Sequence, residues 1–309
     1  MEYKEYMPGV HKLLRHLDHL DCIIKAIPVA PIHVSVWPTN QCQLNCSYCC
    51  CRKMNNINVS ELDIDLYIKT LSILHKYGTK AIEMSGGGSP LLWSNFEQGV
   101  SFAHRLGLKQ SLITNGLALG DVSTLLLSKF EWIRISVQSV SHAEKINYQN
   151  IPVKKSISYI MANDEPLSTL DKLYKFCAEQ NLVTRVAVQR PCTSSRESVV
   201  RNKVNKMGAP FFFSEKKAGR SKGCYMAWIR AAIDWRGNFL PCPSIQLNTE
   251  NEGFIPDKFI LCHIKDLEKW IIENPPRDLG YKCTFCNCGK EENDIVHELL
   301  VEVEDADFV

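Results

Sequence analysis

The chain has 309 residues, 45% of them hydrophobic, and a formal net charge of +2, which suits one large soluble domain with an appendage. That balance argues against extended nucleic-acid binding, and no apolar run approaches the roughly 20 residues that span a bilayer. Met1-Glu-Tyr-Lys-Glu-Tyr is no secretory signal, so the expectation is a cytoplasmic protein whose 14 cysteines serve metal sites rather than disulfides.

Residues 9–26 place Val10, Leu13, Leu14, Leu17, Leu20, Ile23 and Ile24 at helical spacing, which predicts one amphipathic helix packed on the body. From Pro31 onward, six short apolar strands alternate with helices, near 32–37, 80–85, 109–114, 132–138, 156–161 and 183–189. The first intervening helix is expected to start at Ser60 as N-cap and stop at Gly78; the second stops at Gly107. Repeated β–α units imply a parallel sheet with right-handed crossovers, here an α/β fold of the partial (β/α)6 TIM-barrel type. Function in such a sheet collects in the loops after the strands' C-terminal ends. Those loops hold the cysteine stretch 42–51, Ser85-Gly86-Gly87-Gly88-Ser89-Pro90, Thr114-Asn115-Gly116, Ser136-Val137-Gln138-Ser139, Asn163-Asp164 and Arg190-Pro191-Cys192.

Residues 192–223 break the alternation with Arg196, Arg201, Lys203, Lys206, Lys216, Lys217, Arg220 and Lys222, and read as a basic linker or lid, either a solvated loop or an attractor of anions. A second cysteine-rich region spans 224–289, and an acidic tail, 290–309, forms a helix or surface extension that could pair with the lid. The expected division is therefore 1–30, 31–191, 192–223, 224–289 and 290–309.

Cys42, Cys46 and Cys49 have C-x3-C-x2-C spacing. Three thiolates hold an iron–sulfur cluster with one iron left open, whereas zinc takes a closed set of four, for which Cys50 and Cys51 are available. With the glycine motif after the next strand, this constellation resembles the radical SAM superfamily over roughly residues 31–190. The resemblance implies a 4Fe–4S cluster on Cys42, Cys46 and Cys49 whose open iron chelates S-adenosylmethionine (SAM). It places Tyr48 against the adenine and assigns Gly86, Gly87, Gly88 and Ser89 to the loop that receives the SAM amino group. Ser89 stands where the family usually has Glu, which puts any role of that carboxylate in doubt. Asn115, Ser136, Gln138 and Asn163 lie where the family makes polar contacts to SAM.

Cys224, a hairpin turning at Arg236-Gly237-Asn238, and Cys242 precede Cys262, Cys283, Cys286 and Cys288. This resembles the SPASM/twitch extensions, in the shorter twitch form with one auxiliary 4Fe–4S cluster on Cys224, Cys242, Cys283 and Cys286. Cys288 and Cys262 compete as ligands, and a zinc ribbon is the alternative. Cys192 is a candidate hydrogen donor, or an ordinary half-buried cysteine.

The resemblance implies an enzyme that cleaves SAM to a 5′-deoxyadenosyl radical and abstracts hydrogen from a peptide or small polar metabolite, leading to oxidation, cross-linking or epimerisation. The roughly thirty residues before the first strand leave no room for a leader-binding domain. It also implies a reducing partner such as flavodoxin or ferredoxin. The rivals are a nucleotide or nucleic-acid substrate, with Trp228, Trp235 and Arg230 stacking bases, and a non-enzymatic iron–sulfur sensor or scaffold.

Overall fold

The computed structural model describes residues 9–189, 192–214, 221–248, 257–281, 283, 286 and 289–300. Arg190, Pro191, Lys216, Lys217, Arg220, Cys288 and the acidic residues beyond 300 lie outside them. The six expected strands are β1 (His33–Val36), β2 (Ala81–Met84), β3 (Lys109–Thr114), β4 (Trp132–Val137), β5 (Lys154–Met161) and β6 (Val183–Val188), paired in parallel in that order.

The alternation continues where a linker was expected. Ser194–Met207 is a helix, capped by Thr193 Oγ1, which accepts the Arg196 N–H at 3.2 Å, and it leads to β7 (Phe211–Phe213), parallel to β6. Much of the expected basic lid is thus a seventh β–α unit. Two of its described cations are engaged within the chain: Arg196 Nη2 donates to Ala162 O at 3.0 Å, and Lys203 pairs with Asp171 at 2.6 Å.

The hairpin of β8 (Arg230–Ile233) and β9 (Asn238–Leu240) forms as predicted, with Gly237 at φ 79°. Rather than standing apart, β8 pairs in parallel with β1, and β10 (Cys262–His263) extends the edge. The result is one open ten-stranded sheet, ordered 10-9-8-1-2-3-4-5-6-7. The cysteine-rich region is therefore built onto the barrel's first strand.

One face of the sheet carries Val34, Val36, Ile82, Met84, Leu112, Ile133 and Ile135, all buried. Side chains alternate between faces along a strand, so this aliphatic face takes the helices and the other forms the barrel lumen. The expected N-terminal helix is two, Val10–Leu13 and Leu17–Ile24, broken over Leu14–His16. The helix after β1 is Ile64–Lys76, and its N-cap is Asp63, not Ser60: Asp63 Oδ1 accepts the Leu66 N–H at 2.8 Å. The C-terminal helix Lys290–Leu300 packs on Leu17–Ile24, and Lys222 pairs with Glu298, joining basic stretch to acidic tail as anticipated. No described helix is long and apolar enough to cross a membrane.

Candidate functional site

The cysteine loop leaves β1 and is closed by Asn40, which is 2% exposed. Its Oδ1 accepts the Ser60 N–H at 2.9 Å, while its Nδ2 donates to Met54 O at 3.0 Å and Ile57 O at 2.8 Å. The Ser60 backbone thus belongs to the loop, and the helix starts after it. Asn56, at φ 60°, clamps Cys42 by accepting its N–H at 2.9 Å and donating to its carbonyl at 2.9 Å. Asparagine tolerates this left-handed backbone better than most residues.

The glycine loop packs directly beneath. Gly88 N donates to Thr39 O at 2.8 Å and Ser89 N to Gln41 O at 2.7 Å. A Cβ on Gly87 would stand 2.6 Å from the Trp235 ring, and one on Gly88 would stand 2.0 Å from Gln41 O. These glycines are required by close approach. With its amide turned to donate, Asn55 reaches Cys51 O at 3.1 Å and Gly87 O, tying the two loops together.

Cys42, Cys46 and Cys49 are half-buried at this rim. Asn115 Nδ2 lies 4.0 Å from Cys42 Sγ, and Gln138 Nε2 donates to Cys46 Sγ. Both amides were expected on SAM; here they meet the thiols. The backbone that carries both is held by His142, a residue with no signal in the sequence: its Nδ1 accepts the Gln138 backbone N–H at 3.2 Å and its Nε2 donates to the Asn115 backbone carbonyl at 2.9 Å. Burial pushes the Cys42 and Cys46 thiols up, partly opposed by backbone and side-chain hydrogen bonds, whereas a hydrogen bond with Cys51 holds Cys49 low. Cys50 and Cys51 lie 3.9 Å apart, and Gln246 Nε2 donates to Cys50 Sγ at 3.5 Å.

Tyr48 adjoins Cys46, and burial raises its phenol further above the ordinary range. Ser89 is 1% exposed, and its Oγ has no hydrogen-bond partner among the described residues. A buried orphan hydroxyl costs about 1–3 kcal/mol, so it suits a polar ligand received at this loop. Ser136 is half-buried on the face that carries Gln138, Asn163 is exposed at the rim, and Cys192 is half-buried ahead of the helix starting at Ser194.

Members of the second group influence one another electrostatically. Burial pushes Cys224 up to about 12, with Cys283 and Cys286 adding to the effect. Tyr281 is raised first by burial and then by the neighbouring Cys224, Cys283 and Cys242. Asn293, fully buried, accepts the Tyr225 N–H at 2.7 Å and donates to Cys286 Sγ at 3.7 Å. Cys262 instead faces Asp266, and burial pushes it up to about 12. Among the described residues, no three Cys, His, Asp or Glu side chains converge on one ion-sized position. The donor sets nevertheless fit iron–sulfur ligation, in which cationic iron stabilises thiolates that burial disfavours and N–H groups reach the sulfurs.

The expected base-stacking residues are committed elsewhere. Trp228 is buried and stacks on Trp270 at 5.9 Å, Trp235 is buried against the glycine loop, and Arg230 pairs with Glu83 at 3.0 Å.

Residues 37–180 match the family described as the Radical SAM superfamily. The chain is 30% identical over 161 residues to a PqqA peptide cyclase of Xanthomonas oryzae pv. oryzae, covering 48% of this chain and 42% of that protein. It is 27% identical over 107 residues to an S-adenosylmethionine-dependent nucleotide dehydratase of a Thermoplasmatales archaeon, covering 34% of this chain and 37% of that protein. The chain thus spans less than half the length of these curated relatives. Streptococcus suis SuiB bound to the precursor peptide SuiA superposes with a TM-score of 0.58 at 14% identity, over 86% of this chain and 70% of that one. Histidine-tagged anSMEcpe with bound AdoMet gives 0.57 at 14%, over 79% and 80%. These likenesses show the fold.

Proposed function

We propose, from the match of residues 37–180 to the radical SAM superfamily, that this protein holds a 4Fe–4S cluster on Cys42, Cys46 and Cys49 and acts on a C–H bond of a peptide or small polar metabolite. The observation that carries the reading is the convergence of the Asn115 and Gln138 amides on the Cys42 and Cys46 sulfurs, above a glycine loop held against the same cysteine segment. When bound, the cluster and SAM supply an electron and a 5′-deoxyadenosyl radical that abstracts hydrogen from substrate.

The chain's own residues hold and shield. Asn40 and Asn56 fix the ligand loop, and His142 ties together the backbones of Gln138 and Asn115. Gly86, Gly87, Gly88 and Ser89 cradle the polar end of SAM, Tyr48 flanks its adenine, and Ser136 and Asn163 line the approach. Cys224, Cys242, Cys283 and Cys286 hold an auxiliary cluster, whose closed ligand set restricts it to electron transfer or to shaping the cavity. Cys192 is the hydrogen donor if the outcome is epimerisation, and flavodoxin or ferredoxin supplies the reducing electron. The peptide reading draws on the PqqA peptide cyclase likeness, which covers more of the chain than the nucleotide dehydratase likeness. Anaerobic reconstitution with SAM and a deuterated candidate peptide tests it. Deuterium appearing in 5′-deoxyadenosine is the expected result; 5′-deoxyadenosine free of label rejects that substrate.

A further inference from the structure

The turn between β8 and β9 closes on a fully buried carboxylate, Asp234. Its Oδ1 accepts the backbone N–H groups of Arg236 at 2.9 Å and Asn238 at 3.0 Å, while its Oδ2 accepts from Arg236 Nε at 3.1 Å, Arg236 Nη2 at 2.8 Å and Asn238 Nδ2 at 3.0 Å. An aspartate bonded to the backbone two residues on pre-forms a turn, and charge-assisted bonds to a guanidinium fix it further. The following segment holds it from outside: His263 Nε2 donates to Arg236 O at 3.0 Å, and the Ile264 N–H donates to Gly237 O at 2.8 Å.

The residue that this turn presents is Trp235. Because β8 runs parallel to β1, with Ile233 opposite Val36 and the Trp37 N–H donating to Ile233 O at 2.8 Å, Trp235 emerges at the rim where the cysteine loop begins. The Arg236 guanidinium lies over its ring at 5.5 Å. Trp235 belongs with Trp37, Ile245 and Phe259 to a small apolar cluster, against which Met54 of the cysteine loop and Cys283 of the second cysteine group also pack.

The other neighbour of the indole is the glycine loop. A Cβ on Gly87 would stand 2.6 Å from Trp235 Cε3 and 2.7 Å from Cζ3, with Thr39 O at 3.1 Å. Gly87 is thus confined between the indole and the backbone that leads into the cysteines. Yet Trp235 lies outside residues 37–180, the segment that matches the family.

We propose that Trp235, aimed by Asp234, is a positioning residue for SAM, through which the second cysteine region sets the position of the glycine loop and with it the affinity for the cofactor. This rests on the radical SAM reading. The wild type and its variants are reconstituted anaerobically, and SAM binding per loaded cluster is measured by equilibrium dialysis. Trp235→Leu should weaken SAM binding about tenfold, and Trp235→Phe less, since a smaller ring restores part of the support. An exchange of bulk is the decisive comparison. Gly87→Ala should weaken binding about tenfold while the indole is present, but no more than about twofold in the Trp235→Leu background, where the ring it strikes is gone. If Trp235→Leu does not fold, Trp235→Phe supplies the same comparison. An equal cost of Gly87→Ala in both backgrounds overturns the proposal, as does wild-type affinity in Trp235→Leu. A wild type that binds SAM and releases 5′-deoxyadenosine, matched in affinity by its Trp235 variants, sinks this proposal alone; a wild type that binds no SAM sinks the radical SAM reading with it.

Discussion

The Nδ1 atom of His142 accepts the backbone N–H of Gln138 at 3.2 Å, and that residue's side chain in turn reaches Cys46. Burial holds the His142 pKa below its ordinary 6.5, so the imidazole is neutral and the acceptor intact at neutral pH. Protonation would set N–H against N–H. The contribution is therefore complete above about pH 6.5 and is lost as pH falls through the lowered folded value. His142→Phe removes both bonds, worth about 1–2 kcal/mol together. SAM affinity measured by equilibrium dialysis should fall several-fold at pH 7.5, with less further weakening at pH 5.5 than the wild type shows. Wild-type affinity in the variant would deny His142 this positioning role.

Gly88→Ala places a methyl group 2.0 Å from the Gln41 carbonyl oxygen, where backbone rather than a movable side chain must yield. Overpacking of this kind costs about 1–3 kcal/mol and displaces the loop. SAM binding should weaken by more than about tenfold. Gly120→Ala, with nothing within 4 Å of the new Cβ, should bind as the wild type does.

The six strands and the two helix stops were legible because apolar runs and glycines mark them locally. Gly78, at φ 104°, and Gly107, at φ 74°, end their helices as expected. The helix Ser194–Met207 was not legible: of its fourteen residues only Val200 and Val204 are buried, too few to show a period against a polar background. The cysteine spacing announced the first site. Its supports did not show, because Asn40 reaches Met54, Ile57 and Ser60, 14 to 20 residues on, and His142 reaches back 27 residues to Asn115, pairings that only the fold brings near. The polar lumen face was not legible, because these strands read as short apolar runs with a single arginine each in β4 and β6, and which side chains meet depends on strand register.

Glu83 and His33 predict an acid profile in two parts. Burial holds His33 near 4, aided by Arg230, so its contribution is full above about pH 6.5 and is lost from there toward 4. Burial alone would raise Glu83, but Arg230, His33 and Ser35 bring it down to about 2, so its contribution survives until pH falls from about 4.5 toward 2. Glu83→Gln should cost about 3 kcal/mol at pH 7.5, since it takes this buried carboxylate from Arg230. His33→Asn should flatten the decline between pH 6.5 and 5 in guanidinium denaturation. An unchanged slope in that variant would assign the decline to other groups.

Asn293→Leu keeps the volume but strands the Tyr225 N–H, at about 1–3 kcal/mol, and removes the donor to Cys286. The auxiliary cluster's reduction potential should become more negative in an EPR-monitored titration, since N–H···S bonds favour the more negative reduced state. An identical potential would contradict the assignment of Cys286 as a ligand.

The central claim concerns Cys42, Cys46 and Cys49, and SAM cleavage tests it most directly. After anaerobic reconstitution to about eight irons per chain, as two 4Fe–4S clusters require, the wild type should release 5′-deoxyadenosine on reduction with SAM. Cys46→Ala should release none while keeping about four irons on the auxiliary thiols. Cleavage that persists in Cys46→Ala, or a wild type that loads zinc alone, would contradict the account.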